Sequence, residues 1–329
     1  MPLPCHRTLP VPQDLTPTLL VVVDTEEEFD WGAAFDPNAT SVRNIAEQPR
    51  GQEIFDRFGI QPTYVIDHPV AATRDSAELL AGFAAQGRCS IGAHLHPWVN
   101  PPLEGEITAR TSYPGNLPPA LERAKLDHLT RTIAQNLGMQ PTIYKAGRYG
   151  VGPATPGILA DLGYRIDCSL VPWTDFSGDG GPDFSAMPDQ PFEILPDLLE
   201  LPLSVGFVGR LAGSGPALYP HLHKDAARTL RLPGIAARSG LLERLRLSPE
   251  GHSLDDMIRQ TDAGLARGKR LFMMTYHSSA LLPGATPYVR STAERDGFLR
   301  RITQYCEYFT NHCGGVAGSL GEIAVKLRQ

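Results

Sequence analysis

The sequence lacks the features that mark membrane, secreted and nucleic-acid-binding proteins. No apolar run of about 18 residues, the length that spans a bilayer as a helix, occurs among its 329 residues. The first residues, Met1-Pro2-Leu3-Pro4-Cys5-His6-Arg7, contain no apolar core of a signal peptide. The five cysteines include no Cys-x-x-Cys spacing, which is typical of reduced thiols. We therefore expect a cytoplasmic protein with no transmembrane segment.

The sequence also contains fewer basic residues than acidic ones, 30 against 36. The formal net charge is −6, and no basic run or interleaved basic-aromatic patch occurs, which argues against nucleic acid as a partner. Hydrophobic residues make up 42% of the chain, enough for a substantial core. The 329 residues could form one large α/β barrel or two smaller domains.

The hydrophobic pattern predicts strands that alternate with helices. Predicted strands cover residues 18–23, 62–67, 88–93, 141–146, 164–168, 199–203 and 270–276, and predicted helices cover 45–58, 75–86, 119–137, 154–162, 253–267, 292–312 and 319–327. Such alternation implies a parallel sheet, and this number of strands favours a distorted (β/α)7-type barrel. We expect one domain over 17–329, with loop insertions at 174–184 and 204–252 and a Pro-rich lead-in at 1–16.

The first predicted strand runs directly into a cluster of carboxylates. Leu19–Val23 is apolar, and Asp24, Glu26 and Glu27 follow it. Because alternate residues of an extended chain share a face, Asp24 and Glu26 point one way and Glu27 the other. Two carboxylates held this close perturb each other's pKa unless a cation lies between them. The pattern indicates a functional acid pair, although a hydrated strand end would also carry acids.

A histidine pair ends the third predicted strand. Within residues 89–98, His94 and His96 are two apart and share a face, so both imidazoles can reach one point. Imidazole and carboxylate together form a good site for zinc or another first-row divalent metal. The alternative is a structural role for each ring. A second pair, His221 and His223, follows no predicted strand, and we do not assign it to the site.

Further polar residues follow later strands. Lys145, Arg148 and Tyr149 follow the fourth strand, Asp167 ends the fifth, and His277 ends the last. In parallel barrels the carboxyl ends of the strands build the active site, so these residues are predicted to converge there. Taken singly, Arg148 could pair with a surface acid, Asp167 could cap a turn and His277 could be a packed histidine.

Together these motifs resemble the NodB-type polysaccharide deacetylases, especially their WalW-like branch. The resemblance covers roughly residues 18–285 and rests on Asp24-Thr25-Glu26, His94-Leu95-His96, Gly147-Arg148-Tyr149-Gly150, Asp167-Cys168-Ser169 and Tyr276-His277. It implies a distorted barrel, a divalent metal that is usually zinc, and hydrolysis of N-acetyl or other N-acyl groups on amino sugars.

The resemblance also implies roles for individual residues. Asp24 falls on the catalytic base, Glu26 and His94 on metal ligands, and Arg148 on the arginine that orients the base. The family's two histidines are four apart, a spacing that would fall on Trp98, so His96 is expected to replace the second ligand.

The sequence therefore predicts a metal-dependent hydrolase that removes an N-acyl group from an amino sugar or glycan precursor. His277 would protonate the leaving amine. Candidate substrate-binding residues are Trp98, Tyr149, Asp167 and Trp173. A cytoplasmic location favours a nucleotide-linked, lipid-linked or other cytosolic sugar. One alternative is a metal-free barrel that acts as a carbohydrate-binding or regulatory module. Another is a non-haem iron oxygenase with two histidines and one carboxylate as its facial triad.

Overall fold

The computed structural model describes residues 3–30, 32–187, 189–222 and 231–329. Its main sheet contains β1 (Arg7–Thr8), β2 (Thr18–Thr25), β3 (Thr63–Ile66), β4 (Ser90–Leu95), β5 (Ile143–Ala146), β6 (Ile166–Asp167), β7 (Phe192–Leu195), β8 (Leu198–Glu200), β11 (Leu271–His277) and β12 (Val316–Ala317). A second, two-stranded sheet contains β9 (Val205–Val208) and β10 (Glu243–Arg246).

The strand order of the main sheet is β1-β7-β8-β6-β5-β4-β3-β2-β11, with β12 beside β2. Every pair from β11 through β2 to β8 is parallel, whereas β7 and β1 are antiparallel to their neighbours. Parallel strands bring all their carboxyl ends to one edge. The predicted α/β architecture is thus confirmed.

Helices lie between many of the strands and after the last one. They are α1 (Gln48–Arg57), α2 (His68–Ala72), α3 (Arg74–Ala85), α4 (Pro119–Leu137), α5 (Thr155–Asp161), α6 (Gly215–Leu222), α7 (Leu232–Arg238), α8 (Leu254–Ala266), α9 (Thr292–Asn311) and α10 (Leu320–Lys326). In α4 the apolar stripe is buried, and α8 begins with the predicted capping box between Ser253 and Asp256. No described helix has the length and apolar character needed to cross a bilayer.

One long side chain shows that the sheet is rolled. Four strand spacings separate β5 from β11 in the strand order, which would be about 19 Å in a flat sheet. Yet Nζ of Lys145 on β5 lies 3.3 Å from Oγ1 of Thr275 on β11 and is fully buried. A lysine side chain reaches only about 6 Å, so β5 and β11 must face each other across an interior, as in a barrel.

The region 204–252 differs from its expected loop structure. It contains β9, β10, α6 and α7, and its ends bond to β11, where Ser204 Oγ accepts from Met273 N at 2.8 Å and Leu247 O accepts from Thr275 N at 3.2 Å. The strands of this insertion were not predicted, because Glu243–Arg246 contains one apolar residue and has no strand pattern. The insertion therefore lies against the free edge of β11.

The N-terminal segment also contacts the sheet. Arg7 and Thr8 pair with Glu193 and Phe192 of β7, and Leu3 and Leu9 are buried. Since apolar burial and backbone pairing both tie this segment down, it packs as part of the main sheet.

We predict opposite effects of the same substitution at two glycines. In β4, a Cβ added at Gly92 would lie 2.8 Å from Ile143 O and 2.9 Å from Val65 Cγ1, whereas Gly82 in α3 has open space around it. Gly92→Ala should lower the free energy of unfolding by about 1–3 kcal/mol through overpacking. Gly82→Ala should raise it by about 0.5–1 kcal/mol through helix propensity. Urea unfolding measures both, and equal effects would contradict the close approach of β3 and β5 to β4.

Candidate active site

A cavity of about 390 Å³ lies at the carboxyl ends of the parallel strands. It is bordered by most of the site residues that the sequence predicts: Asp24, Glu26, His94, His96, Arg148, Tyr149 and His277. These residues come from β2, β4, β11 and the turn after β5. Segments far apart in the sequence thus converge on one pocket, as expected for a barrel.

Glu26, His94 and His96 form a compact buried cluster. Glu26 Oε2 lies 3.6 Å from Nε2 of His94 and 3.4 Å from Nε2 of His96, and each side chain is 2% exposed. One ligand atom from each residue lies within 4.8 Å of the other two. Both imidazoles face Glu26 although they are only two residues apart, as the two-residue alternation of an extended chain predicts.

Hydrogen bonds fix both histidine rings. His94 Nδ1 lies 2.8 Å from the carbonyl oxygen of Lys145, and His96 Nδ1 lies 2.8 Å from Glu27 Oε2. Each Nδ1 therefore carries the hydrogen and donates, which leaves the lone pair of Nε2 directed at Glu26. Trp98 Nε1 donates to the other oxygen of Glu27 at 2.7 Å. Carboxylate–histidine pairs of this kind commonly orient metal ligands.

The electrostatics of this cluster fit a cation. Burial, together with Glu27, Asp24 and Asp67, raises the pKa of Glu26 well above its usual value. Burial lowers the pKa of His96 to about 4 and that of His94 well below its usual value, so both rings are neutral, as metal ligands require. Glu26 Oε1 is buried and has no hydrogen-bond partner among the described residues. The donor set of two neutral imidazoles and one carboxylate therefore fits a divalent cation such as zinc.

Asp24 is held by a lysine. Lys145 Nζ lies 2.5 Å from each carboxylate oxygen of Asp24, and both side chains are almost completely buried. Burial by itself would raise the pKa of Asp24, but the charge of Lys145, with contributions from His94 and His277, lowers it to about 2. Asp24 is therefore ionised throughout the physiological pH range.

Arg148, predicted to orient Asp24, contacts other groups. Its guanidinium bonds to Asp179 and Ser112 and lies 4.1 Å from the ring centre of Tyr113. The backbone at Arg148 has a φ of 53°, in the left-handed region, so the chain has left the extended path of β5 and directs this side chain to the rim. Lys145, still within β5, points into the barrel and takes the place expected for Arg148.

His277 has its own carboxylate. Glu250 Oε2 accepts from His277 Nδ1 at 2.8 Å, and Glu250 Oε1 accepts from the backbone nitrogen of His277 at 2.9 Å. The opposite nitrogen, Nε2, lies 3.6 Å from Asp24 Oδ2. Glu250 thus fixes the ring so that Nε2 faces the reacting region of the cavity.

Three predicted substrate-binding residues do not border the cavity. Asp167 is buried, and its carboxylate accepts from the hydroxyl and amide of Ser169. Trp98 is buried behind His96, with its ring stacked on that imidazole at 4.2 Å between centres. Trp173 packs against Phe207 of β9. These side chains follow strands or lie near them, but their positions are decided by packing partners that sequence spacing does not reveal.

Lys145 was predicted to lie at the site but was given no role there, and two important residues, Glu27 and Glu250, were not selected from the sequence as site residues. Strand alternation from His94 and Asp24 could have indicated Glu27, since it predicts the opposite face for that residue. Glu250 follows a stretch without strand pattern and carried no signal. His223, of the second histidine pair, lies outside the described residues, as does Trp31.

Comparison with known proteins identifies the fold. No protein-family model and no curated protein sequence matches the chain. A structure assigned to the polysaccharide deacetylases, from Mycobacterium smegmatis, superposes with a TM-score of 0.57 at 17% identity and covers 99% of this chain and 95% of that one. The 4-alpha-glucanotransferase from Thermococcus litoralis superposes with a TM-score of 0.50 at 12% identity and covers 95% of this chain and 40% of that one. The family 4 carbohydrate esterase from Streptomyces lividans superposes with a TM-score of 0.43 at 10% identity and covers 92% of this chain and 93% of that one. The chain thus shares the fold of the Mycobacterium smegmatis structure, and its reaction must be argued from its site.

The buried ion pair predicts a non-additive effect on stability. Lys145→Met leaves the Asp24 carboxylate buried without its cation and should lower the free energy of unfolding by about 3–5 kcal/mol. Adding Asp24→Leu removes that stranded charge and should recover part of the loss. The control is Arg131→Met, which breaks an exposed pair with Asp127 and should cost less than about 1 kcal/mol. Denaturant unfolding provides the measurement. Direct coupling would be contradicted if the double variant lost as much free energy of unfolding as Lys145→Met and Asp24→Leu lose separately, added together.

Proposed function

We propose that the protein is a metal-dependent hydrolase that removes an N-acyl group, with acetyl the expected one, from an amino sugar or glycan precursor. One observation carries this proposal: a buried Glu26–His94–His96 cluster faces the Asp24–Lys145 and His277–Glu250 pairs within one cavity. The fold shared with deacetylases agrees with it. The WalW-like branch stays a prediction.

Glu26, His94 and His96 would hold the cation, with zinc expected. Glu26 is the better carboxylate ligand, because both oxygens of Asp24 are already bound by Lys145, whereas one oxygen of Glu26 is without a partner among the described residues. A divalent cation at this position supplies Lewis acidity, which polarises an acyl carbonyl and makes a water molecule more acidic.

Asp24 would act as the general base. Its low pKa keeps it ionised and ready to accept a proton, although it makes Asp24 a weak base for water on its own. Lys145 fixes the carboxylate in the barrel interior next to the histidine cluster. Proton transfer by a positioned group of this kind typically contributes about 10² to 10⁴ in rate.

His277 would act as the general acid. Glu250 holds its Nδ1, so Nε2 is the atom that can donate to a leaving amine. An amine leaves an amide only after protonation, which makes such a donor necessary for C–N cleavage. The carboxylate of Glu250 also stabilises the charged imidazolium that must form before donation.

The walls of the cavity suit a sugar. Aromatic side chains of Phe35, Tyr113, Tyr149 and Tyr288 border it, and such rings pack against the apolar faces of sugar rings. Its volume of about 390 Å³ is in the range of small-molecule sites. Tyr149 therefore remains a proposed substrate-binding residue. The alternative function, a metal-free binding module, is tested by the metal content of protein purified without chelator.

We expect Glu27 to control metal affinity through His96. Glu27→Gln weakens the acceptor that orients His96 and should lower zinc affinity about 10- to 100-fold. His96→Ala removes a ligand and should lower it further. The control is Glu28→Gln: the adjacent Glu28 bonds to Arg43 and Asn44 outside the cluster and should have little effect. Competition with a chromophoric chelator measures affinity without an activity assay. Stoichiometric zinc in His94→Ala, His96→Ala and Glu26→Ala alike would refute the proposed site.

We expect amide and ester substrates to separate the roles of His277 and Asp24. His277→Ala should slow hydrolysis of an N-acetyl sugar by roughly 10² or more, and an activated ester much less, because a good leaving group needs little protonation. Asp24→Asn should slow both substrates similarly, because both require attack by water. Steady-state kcat/KM on the two substrates measures this. Equal losses in His277→Ala would remove His277 from the acid role.

A further inference from the structure

A second arginine, Arg246, borders the cavity at the end of β10. It is half-buried, and its NH1 donates to the hydroxyl of Tyr149 at 2.6 Å. A guanidinium carries five N–H donors, and this is its one hydrogen bond to the described residues. None of the described carboxylates forms an ion pair with it. The cavity therefore contains a cation whose main partner is a neutral phenol.

The other basic side chains at the site have carboxylate partners. Lys145 binds Asp24, Arg148 binds Asp179, and His277 is hydrogen-bonded to Glu250. Burying a charge without an opposite charge is costly, so paired cations are the usual arrangement. Arg246 departs from this arrangement within the described part of the chain.

The nearby acids are already engaged. Both oxygens of Asp24 are bound by Lys145, and both oxygens of Glu250 are bound by His277. Asp179 accepts from both Arg148 and Tyr113. An ion pair between Arg246 and one of these acids would share a carboxylate that already accepts from Lys145, His277 or Arg148. An anion that enters the cavity would have its full acceptor capacity available to the guanidinium.

We propose that Arg246 binds an anionic group, a carboxylate or a phosphate, carried by the substrate. This inference rests on the proposed function for the identity of the rest of the substrate, an N-acylated amino sugar. Arginine suits this task because its planar fork matches two oxygens of either group.

The position of Arg246 predicts which kinetic parameter depends on its contact with the anion. Tyr149 lies between the two cations: its ring centre is 5.2 Å from Lys145 Nζ, and its hydroxyl accepts from Arg246. The anion would thus bind one aromatic ring away from the base. A contact remote from the reacting amide stabilises substrate and transition state alike, so its loss should raise KM more than it lowers kcat.

The experiment compares neutral and anionic substrates of one sugar. The probes are N-acetylglucosamine, its 1-phosphate, its 6-phosphate and N-acetylglucosaminuronic acid, with the zinc-loaded protein. We expect kcat/KM for at least one anionic probe to exceed that of the neutral sugar about tenfold. Preference for the uronic acid identifies a carboxylate, and preference for one phosphate identifies that group and its position.

Three variants test the role of the guanidinium. Arg246→Gln should abolish the preference, mainly through KM. Arg246→Lys keeps the charge without the fork and should be intermediate. The control is Arg244→Gln, two residues earlier on β10, which removes the same charge. Arg244 bonds to Thr174 and Tyr219 away from this cavity, so the preference should persist.

A binding assay separates this proposal from the proposed function. Calorimetry with chelator-treated protein measures affinity for the anionic probes without turnover. Binding that Arg246→Gln abolishes and Arg244→Gln preserves supports the anion site even if no probe is hydrolysed, an outcome that would count against the deacetylase. Hydrolysis with equal kcat/KM for neutral and anionic probes overturns the anion site alone. Failure of Arg246→Gln to change binding or preference also overturns it.

Discussion

The ion pair between Lys145 and Asp24 is the constraint on which the rest of the site depends. It joins β5 to β2 across the barrel interior, with Thr275 of β11 as a third contact. Two charges taken out of water are tolerated only when each satisfies the other closely. The pair therefore fixes the roll of the sheet, and the same contact places an ionised carboxylate beside His94.

The carboxyl end of β2 concentrates more buried negative charge than Lys145 can neutralise. Burial raises the pKa of Glu26 and of Asp67 well above the usual values, and the neighbouring acids add to the effect. Such a cluster is stabilised either by protons or by a cation. Burying these carboxylates lowers the free energy of unfolding, whereas apolar residues at the same positions would pack without a desolvation penalty. The cluster is therefore explained by function and not by stability.

The histidines of the cluster are spaced differently from those of the family that the sequence resembles. His94 and His96 are two apart and both reach Glu26, and Glu27 holds the second ring. Trp98, two residues further along the chain, is a buried packing partner of that ring. Arg246 adds a feature that follows from the insertion, since β10 belongs to the region that interrupts the alternation of strands and helices.

The sequence by itself determined the alternating α/β architecture and the strand ends at which Asp24, Glu26, His94, His96 and His277 lie, because local hydrophobic periodicity and two-residue alternation are properties of short segments. Only the tertiary structure decided which charges pair. Lys145 in place of Arg148, Glu250 behind His277, and the positions of Asp167 and Trp173 away from the cavity all depend on contacts between distant segments. Such contacts are set by how the sheet rolls and where the insertion packs, and neither is encoded in the spacing of residues along one strand.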